Sequence, residues 1–298
     1  MTQPIRLFEG MGVALITPFQ ADGSIDYASL QTLLEHIISG GADFVVVHGT
    51  TGESPCLSRD ERNAVTSFVV QTVGGRIPIM IGLGGNNTME VGERLAELDT
   101  TGLSGVLSVA PYYNKPSQEG IYEHFKHLAK CSKLPIVIYN VPGRVVVNVT
   151  PTVVAKLAEI PNIIGIKEAT GDISRVQKIK QLAGKDFFVF SGDDASCLEA
   201  MKLGAEGVIS VTSNVAPKAM AEMCRLARQG HFSEAETINQ RLMPLHKNLF
   251  IESNPIPVKW ACYKLGLIAD PTLRLPLTLL SESAQPVVLD ALNFAGLR

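Results

Sequence analysis

Short apolar runs rich in β-branched residues alternate with amphipathic stretches along most of this 298-residue chain. Repeated alternation of strand and helix predicts parallel strands that are joined by crossover helices. Eight such units over about 230 residues are typical of a closed (β/α)8 barrel, which is an α/β fold. The predicted strands are 12–18, 44–49, 78–83, 105–110, 135–141, 163–168, 187–192 and 207–212.

The stretches between these strands predict helices. Ser58 with Glu61 three residues later has the spacing of a capping box, and Thr150 followed by Pro151 is typical of a helix start. The predicted helices are 27–39, 58–73, 89–98, 118–130, 151–158, 173–182 and 195–203.

The strand pattern stops at about residue 230. Helical patterns follow over 232–250, 258–265 and 277–292, with prolines between them. We therefore predict a catalytic barrel over residues 1–230 and a helical C-terminal extension over residues 231–298 that packs on the barrel.

An open, doubly wound sheet is the alternative α/β architecture. The first predicted strand is not followed by the Gly-x-Gly-x-x-Gly turn of dinucleotide-binding folds. The loop 49–54 is similar to a phosphate-binding loop but contains no lysine. Both observations favour the barrel.

Composition narrows the class of protein. A net charge of −3 without a basic run argues against nucleic acid as a partner. The five cysteines are scattered and form no Cys-x-x-Cys pair, which favours free thiols in a reducing compartment. The N-terminus lacks a signal-peptide core, and no segment has the roughly 20 apolar residues that span a bilayer. We therefore expect a cytoplasmic protein with no membrane partner.

Active sites of (β/α)8 barrels lie at the C-terminal ends of the strands. The polar residues that follow the predicted strands are therefore the candidates for chemistry. They are Thr17, Thr50, Thr51, Tyr112, Tyr113, Tyr139, Asn140, Lys167, Glu168, Ser191, Gly192 and Asp193.

Lys167 is the strongest of these candidates because it follows the apolar run 163–166. Burial disfavours a charged ammonium, and a neutral amine is a nucleophile that forms Schiff bases with carbonyl compounds. Alternation along the strand puts Lys167 on the same face as Gly165, which would leave room for the long side chain. The alternative is a strand-end lysine whose ammonium reaches water.

Three other residue types have two interpretations each. Arg144 follows the fifth predicted strand, where its guanidinium could bind a carboxylate or could simply be a solvated turn residue. The tyrosines could transfer protons or belong to the core. His124 and His127 share a helix face with lysines, so we expect a solvated face there and no catalytic metal.

Five motifs occur in order along the chain and are far more specific together than alone. They are Gly49-Thr50-Thr51-Gly52-Glu53-Ser54, Pro111-Tyr112-Tyr113-Asn114-Lys115-Pro116, Tyr139-Asn140-Val141-Pro142-Gly143-Arg144, Gly165-Ile166-Lys167-Glu168-Ala169 and Ser191-Gly192-Asp193-Asp194. With them the chain resembles the dihydrodipicolinate synthase family, within the pyruvate-dependent class I aldolases that include N-acetylneuraminate lyase. The resemblance covers essentially the whole chain, including the segment 254–259.

The resemblance implies a lyase that condenses pyruvate with L-aspartate 4-semialdehyde in lysine and diaminopimelate biosynthesis. Lys167 would form the Schiff base with pyruvate, and Tyr139 would move protons at the active centre. Thr51 would link Tyr139 to Tyr113, which in this family comes from a neighbouring subunit. The implied assembly is a homotetramer built as a dimer of dimers.

The resemblance also implies a substrate-binding set and no cofactor beyond the lysine. Thr50, Gly192 and Ile209 would position the substrates, and Arg144 would bind the carboxylate of the semialdehyde. Arg144 favours a synthase over a sister aldolase or lyase that acts on a sugar acid or on hydroxy-oxoglutarate. Val145 departs from the family, where threonine is usual, and this weakens the substrate assignment. A catalytically silent relative is disfavoured because the lysine is present.

Synthases of this family are often inhibited by lysine, and four residues match the inhibitor site. They are Ser54, Asn86, Glu90 and Tyr112. Arg59 and Arg62 stand where inhibited bacterial enzymes often carry histidines. Because two cations beside a cationic ligand weaken its binding, we expect lysine inhibition to be weak or absent.

Overall fold

The computed structural model describes residues 7–298, and eight strands form a closed parallel barrel in which each strand neighbours the next along the chain. All eight predicted strands are present, so the predicted (β/α)8 fold class is confirmed. The strands are β1 Gly10–Ala14, β2 Phe44–Val47, β3 Ile79–Gly82, β4 Gly105–Val109, β5 Ile136–Asn140, β6 Ile163–Glu168, β7 Phe188–Ser191 and β8 Gly207–Ser210.

The predicted bounds fit least well at the first strand, since β1 runs from Gly10 to Ala14 and not from residue 12 to residue 18. Residues 15–18 are buried, as their apolar pattern suggests. However, the backbone N–H of Ile16 donates to the side chain of Asn214 at 3.2 Å and not to a neighbouring strand. Burial therefore continues beyond the point where the strand ladder ends.

Twelve helices occur within residues 7–298. They are α1 Tyr27–Ser39, α2 Arg59–Val73, α3 Thr88–Glu97, α4 Gln118–Cys131, α5 Pro142–Val145, α6 Pro151–Ala158, α7 Ser174–Ala183, α8 Cys197–Lys202, α9 Pro217–Arg228, α10 Phe232–Asn248, α11 Ile256–Lys264 and α12 Gln285–Phe294. The predicted capping box at Ser58 and Glu61 is present, and Thr150 caps α6.

The prediction of a helix over 277–292 is wrong for its first half, because α12 begins at Gln285. Pro286 lies in the first turn of this helix. A proline ring clashes with the carbonyl four residues earlier in a helix, so Pro286 favours a helix start at this point of the chain. The short α5 was not predicted, and α9 matches a helical stretch predicted without bounds that ends at Gly230.

The chain divides into two compact units. The first comprises residues 7–9 and 78–209, and the second comprises residues 10–77 and 210–298. In the second unit, α10 packs against α9 and α12, and α11 packs against α12. The boundary between a barrel over 1–230 and an extension over 231–298 stays a prediction.

Candidate active site

Tyr139 and Lys167 are paired residues on neighbouring strands of the first unit. The register of β5 and β6 puts Tyr139 opposite Lys167 and Val137 opposite Gly165. Lys167 Nζ lies 4.5 Å from the centroid of the Tyr139 ring. Lys167 is only 6% exposed, so the alternative of a lysine that reaches water is wrong.

Space for the Lys167 side chain is provided by Gly192, which follows β7. A Cβ atom at Gly192 would lie 3.1 Å from Lys167 Cε and 2.6 Å from Ala169 Cβ. Gly192 N also donates to Glu168 O at 2.8 Å, which fixes the glycine beside β6. A side chain at this position would therefore displace the lysine.

The expectation that Gly165 makes room for Lys167 is wrong. A Cβ atom at Gly165 would lie 2.7 Å from both the Cβ and the carbonyl oxygen of Phe188. Gly165 thus allows β6 and β7 to approach at Phe188, two residue pairs below the lysine. The sequence pattern identified a glycine with a steric role but assigned it to the wrong neighbour.

A buried polar network supports the ends of β5 and β6. Asn140 Nδ2 donates to both carboxylate oxygens of Glu168, at 3.2 and 3.1 Å. Arg175 Nε donates to Glu168 Oε2 at 3.0 Å, and Arg175 Nη2 donates to Val149 O. Val149 N in turn donates to Asn140 Oδ1 at 3.0 Å. Asn140 and Glu168, proposed from the sequence as candidates for chemistry, therefore contact each other, and Glu168 also pairs with Arg175.

Arg175 was missed by the sequence analysis. A signal for it existed, because a carboxylate as deeply buried as Glu168 requires a cationic or hydrogen-bonding partner. The cation is seven residues further along, at the start of α7.

The network also anchors the loop that carries Arg144. Arg144 is exposed within α5, and the next residue, Val145, is buried. Val146 is exposed and has a φ of 70°, a left-handed conformation that is unusual for a β-branched residue. The loop returns to the buried network at Val149.

Tyr112 and Tyr113 follow β4 and are exposed, so a core role for them is excluded. Tyr113 is 88% exposed and has a φ of 73°. The neighbouring Asn114 is tied back by a hydrogen bond from its Nδ2 to Asn86 O at 2.9 Å. By contrast, Tyr139 is buried. Tyr139 is therefore in the interior of the first unit, whereas Tyr112 and Tyr113 are exposed to solvent.

The second unit contains the loop 49–54. Thr50–Gly52 and Ser54–Cys56 are short 3₁₀ turns, and Glu53 between them has a left-handed φ of 51°. Thr51 is buried, and its Oγ1 accepts a hydrogen bond from Asn254 Nδ2 at 2.9 Å.

The acidic residue of the same loop is buried beside a second lysine. Lys259 Nζ lies 2.7 Å from Glu53 Oε1, and both side chains are fully buried. Asn254 and Lys259 lie in the segment 254–259 of the family resemblance, which predicts no role for either residue. Because these contacts join residues about 200 positions apart, periodicity could not have shown them.

Residues 7–298 contain no group of three or more His, Cys, Asp and Glu side chains arranged to hold a metal ion. The prediction that His124 lies on a solvated helix face is wrong, because His124 is buried and its Nδ1 is 2.8 Å from Thr88 Oγ1. Burial lowers the pKa of His124 to about 4. In the same part of the chain, no helix has the length and apolar character needed to cross a bilayer.

Residues 7–295 match the model of the dihydrodipicolinate synthetase family. The chain belongs to this family. The resemblance inferred from the five motifs is thereby confirmed.

Solved structures of dihydrodipicolinate synthases agree with this assignment. The chain is 45% identical to the chloride-inhibited enzyme from Acinetobacter baumannii in complex with pyruvate, with 97% of this chain and 99% of that chain covered and a TM-score of 0.95. It is 44% identical to the enzyme from Aquifex aeolicus, with 97% and 99% covered and a TM-score of 0.93. It is 41% identical to a monomeric dihydrodipicolinate synthase variant, with 99% of each chain covered and a TM-score of 0.95.

As a member of the dihydrodipicolinate synthetase family, this chain is an enzyme, a lyase of the class I aldolase type. Chemistry of this type uses a Schiff base between pyruvate and a lysine, with no external cofactor. The comparisons support the synthase interpretation over the sister aldolase or lyase. The roles of individual site residues stay predictions.

The residues of the predicted lysine site lie in both units. Ser54 belongs to the second unit, whereas Asn86, Glu90 and Tyr112 belong to the first. Within the second unit, Arg62 Nη1 donates to Ser54 O at 3.3 Å and to Leu57 O at 2.7 Å. The Arg62 guanidinium is therefore fixed beside Ser54, one of the residues predicted to bind lysine.

Proposed function

We propose that the chain is a 4-hydroxy-tetrahydrodipicolinate synthase that joins pyruvate to L-aspartate 4-semialdehyde through a Schiff base on Lys167. The observation that carries the proposal is the buried Lys167 amine beside the Tyr139 ring, in space left by Gly192. Family membership supports this assignment. The pyruvate complex of the Acinetobacter baumannii relative supports pyruvate as the first substrate.

The chemistry starts with attack of the Lys167 amine on the keto carbon of pyruvate. Loss of water from the carbinolamine gives an iminium, which withdraws electrons from the neighbouring methyl group. Removal of a methyl proton gives an enamine, and its carbon attacks the aldehyde carbon of the second substrate. The amino group of that substrate then attacks the iminium carbon, which closes the ring and releases Lys167.

Tyr139 is the proposed proton carrier for these steps. General acid–base groups must lie within hydrogen-bonding reach of the atoms that gain or lose protons. The Tyr139 ring lies beside the Lys167 amine because the two residues are paired in the strand register. Thr51 and Tyr113 complete the proposed proton path.

Arg144 is the proposed ligand of the semialdehyde carboxylate. Its exposed position in α5 suits a guanidinium that receives a substrate from solvent. The Asn140–Glu168–Arg175 network supports this role because it anchors the far end of the Arg144 loop. We assign substrate positioning to Thr50, Gly192 and Ile209 as well.

The proposed assembly is a homo-oligomer, built as a tetramer of two dimers. A tyrosine that is 88% exposed on a left-handed backbone supports a role in a neighbouring subunit. A monomeric variant occurs among the relatives, so the test is the molar mass in solution at the assay concentration. We also propose a cytoplasmic location, which the five free cysteines support.

Mass spectrometry after borohydride reduction with pyruvate tests the proposed function. We expect an adduct on the peptide that contains Lys167 and none on the peptide that contains Lys259. Aspartate semialdehyde added just before the quench should deplete the adduct, whereas N-acetylmannosamine should not. An adduct that ignores aspartate semialdehyde would support the sister aldolase, and the absence of any adduct would refute the mechanism. Lys167→Arg is the matched negative control.

A further inference from the structure

Two contacts within the second unit tie the loop 49–54 to the turn and helix at residues 254–264. Asn254 Nδ2 donates to Thr51 Oγ1 at 2.9 Å, and Lys259 Nζ lies 2.7 Å from Glu53 Oε1. All four residues are buried. The hydroxyl assigned to the proton path is therefore held by a residue that the proposed mechanism does not use.

The effect of Asn254 on Thr51 follows from the hydrogen-bonding capacity of a threonine hydroxyl. A hydroxyl has one proton to donate and two lone pairs that accept. The amide N–H of Asn254 occupies one lone pair of Thr51. One donor and one acceptor therefore remain on the Thr51 hydroxyl. A hydroxyl that links two tyrosine hydroxyls needs both, because it accepts a proton from one tyrosine and donates its own proton to the other.

We propose that Asn254 is a positioning residue that, by donating to Thr51, leaves the Thr51 hydroxyl proton available for the relay. The inference rests on the proposed function, because it gives Thr51 the role of a link between two partner groups. A carboxylate at position 254 would accept where the amide donates. The Thr51 hydroxyl would then donate its single proton to residue 254 and could not donate it in the relay.

The Glu53–Lys259 pair keeps this arrangement in place. The Lys259 ammonium also donates to Thr272 O at 2.8 Å and lies 3.9 Å from the centroid of the Phe19 ring. Glu53 Oε2 accepts from Arg274 N at 3.0 Å. Both charged groups are thus held on several sides, which fixes the left-handed Glu53 two residues after Thr51.

Lys259 is excluded as a second Schiff-base lysine by the same contacts. Its side chain is 0% exposed, and burial lowers its pKa to about 8, against the opposing attraction of Glu53. The amine is thus a plausible nucleophile by its pKa alone. It is nevertheless enclosed by the carboxylate, a carbonyl and an aromatic ring, so no substrate carbonyl can reach it.

The test is steady-state kinetics of Asn254→Asp and Thr51→Val, alone and combined. We expect Asn254→Asp to lower kcat by about 10- to 100-fold, which is at or below the roughly 100-fold minimum for loss of a proton-transfer group itself, with KM for pyruvate changed less than about threefold. The double variant should be no slower than Thr51→Val alone, because both changes disable one relay. Asn293→Asp, at an exposed site in α12, is the matched control and should leave kcat unchanged.

Several outcomes would overturn the inference. A kcat for Asn254→Asp equal to that of the unaltered chain would do so, as would losses that multiply in the double variant. If Asn254→Asp does not fold, Asn254→Ala replaces it, and its loss should again be absent in the Thr51→Val background. The borohydride adduct separates this test from the test of the proposed function. If the unaltered chain gives no adduct, the proposed function is refuted. If it gives a normal adduct and the Asn254 substitution leaves kcat unchanged, only the relay is refuted.

Discussion

Gly192 and Lys167 are in steric contact: a Cβ atom added to the glycine would lie 3.1 Å from the Cε atom of the lysine. We predict that Gly192→Ala slows formation of the pyruvate adduct by up to about 100-fold, because the added Cβ atom would also lie 2.6 Å from Ala169 Cβ and would shift the end of β6 that carries the lysine. The rate of borohydride-trapped adduct formation measures this directly.

Gly143→Ala is the control for that experiment. A Cβ atom at Gly143 has no neighbour within 4 Å, so the substitution adds the same methyl group without a clash. Its adduct rate should equal that of the unaltered chain. Equal rates for both alanine variants would contradict the proposed position of the lysine side chain.

Arg175→Ala should be strongly destabilising because it leaves the Glu168 carboxylate buried without its cation. The pair lies at 3.0 Å, with both side chains largely buried. Removing one partner of a buried ion pair typically lowers the free energy of unfolding by about 3–5 kcal/mol. Urea denaturation at a fixed protein concentration measures the change.

Arg225→Ala separates the effect of burial from that of losing an arginine. Arg225 pairs with Glu222 on the exposed face of α9, where solvent screens the charges. We expect no measurable change in its urea midpoint. Similar midpoints for the two variants would show that Glu168 is not held by Arg175 as the structure indicates.

The sequence was sufficient for features whose signal is local. The β-branched runs located the eight strands, and the capping box located the start of α2 at residues 58 and 61. Lys167 could be recognised as buried because its neighbours 163–166 are apolar. Strand alternation also placed Lys167 and Gly165 on one face.

Contacts between distant residues could not be read from periodicity. Gly192 lies 25 positions from Lys167, and the Asn254–Thr51 hydrogen bond joins residues 203 positions apart. His124 was assigned to a solvated face from its lysine neighbours, although its partner Thr88 is 36 positions away. In each case the tertiary neighbour, not the local pattern, decides the environment.

Two buried histidines predict that the fold loses stability in mild acid. Burial lowers the pKa of His48 and of His124 from 6.5 to about 4. Between pH 6.5 and pH 4 the unfolded chain binds a proton at each site while the folded chain does not. Each histidine should therefore lower the free energy of unfolding by about 1.4 kcal/mol per pH unit as pH falls from 6.5 to 4, and should cause no further loss below pH 4.

Urea midpoints at pH 7, 5.5 and 4.5 test this expectation at one protein concentration. The depressed pKa of Glu61, about 2, makes its contribution mainly below pH 4.5, the lowest pH of this series. His124→Gln should flatten the pH dependence, whereas His231→Gln, at an exposed position, should not. A slope that His124→Gln leaves unchanged would contradict the assignment.

Free lysine should inhibit the enzyme weakly or not at all, because Arg62 occupies the surroundings of Ser54. Its guanidinium donates hydrogen bonds to Ser54 O and Leu57 O, and these two bonds hold the positive charge beside Ser54. Repulsion between this charge and a lysine ammonium lowers the affinity of the ligand. We expect less than half inhibition at about 1 mM lysine in an activity titration, and a stronger response when Arg59 and Arg62 are both changed to histidine. Strong inhibition of the unaltered enzyme at sub-millimolar lysine would refute this prediction, because the two arginines would then be compatible with a bound ammonium.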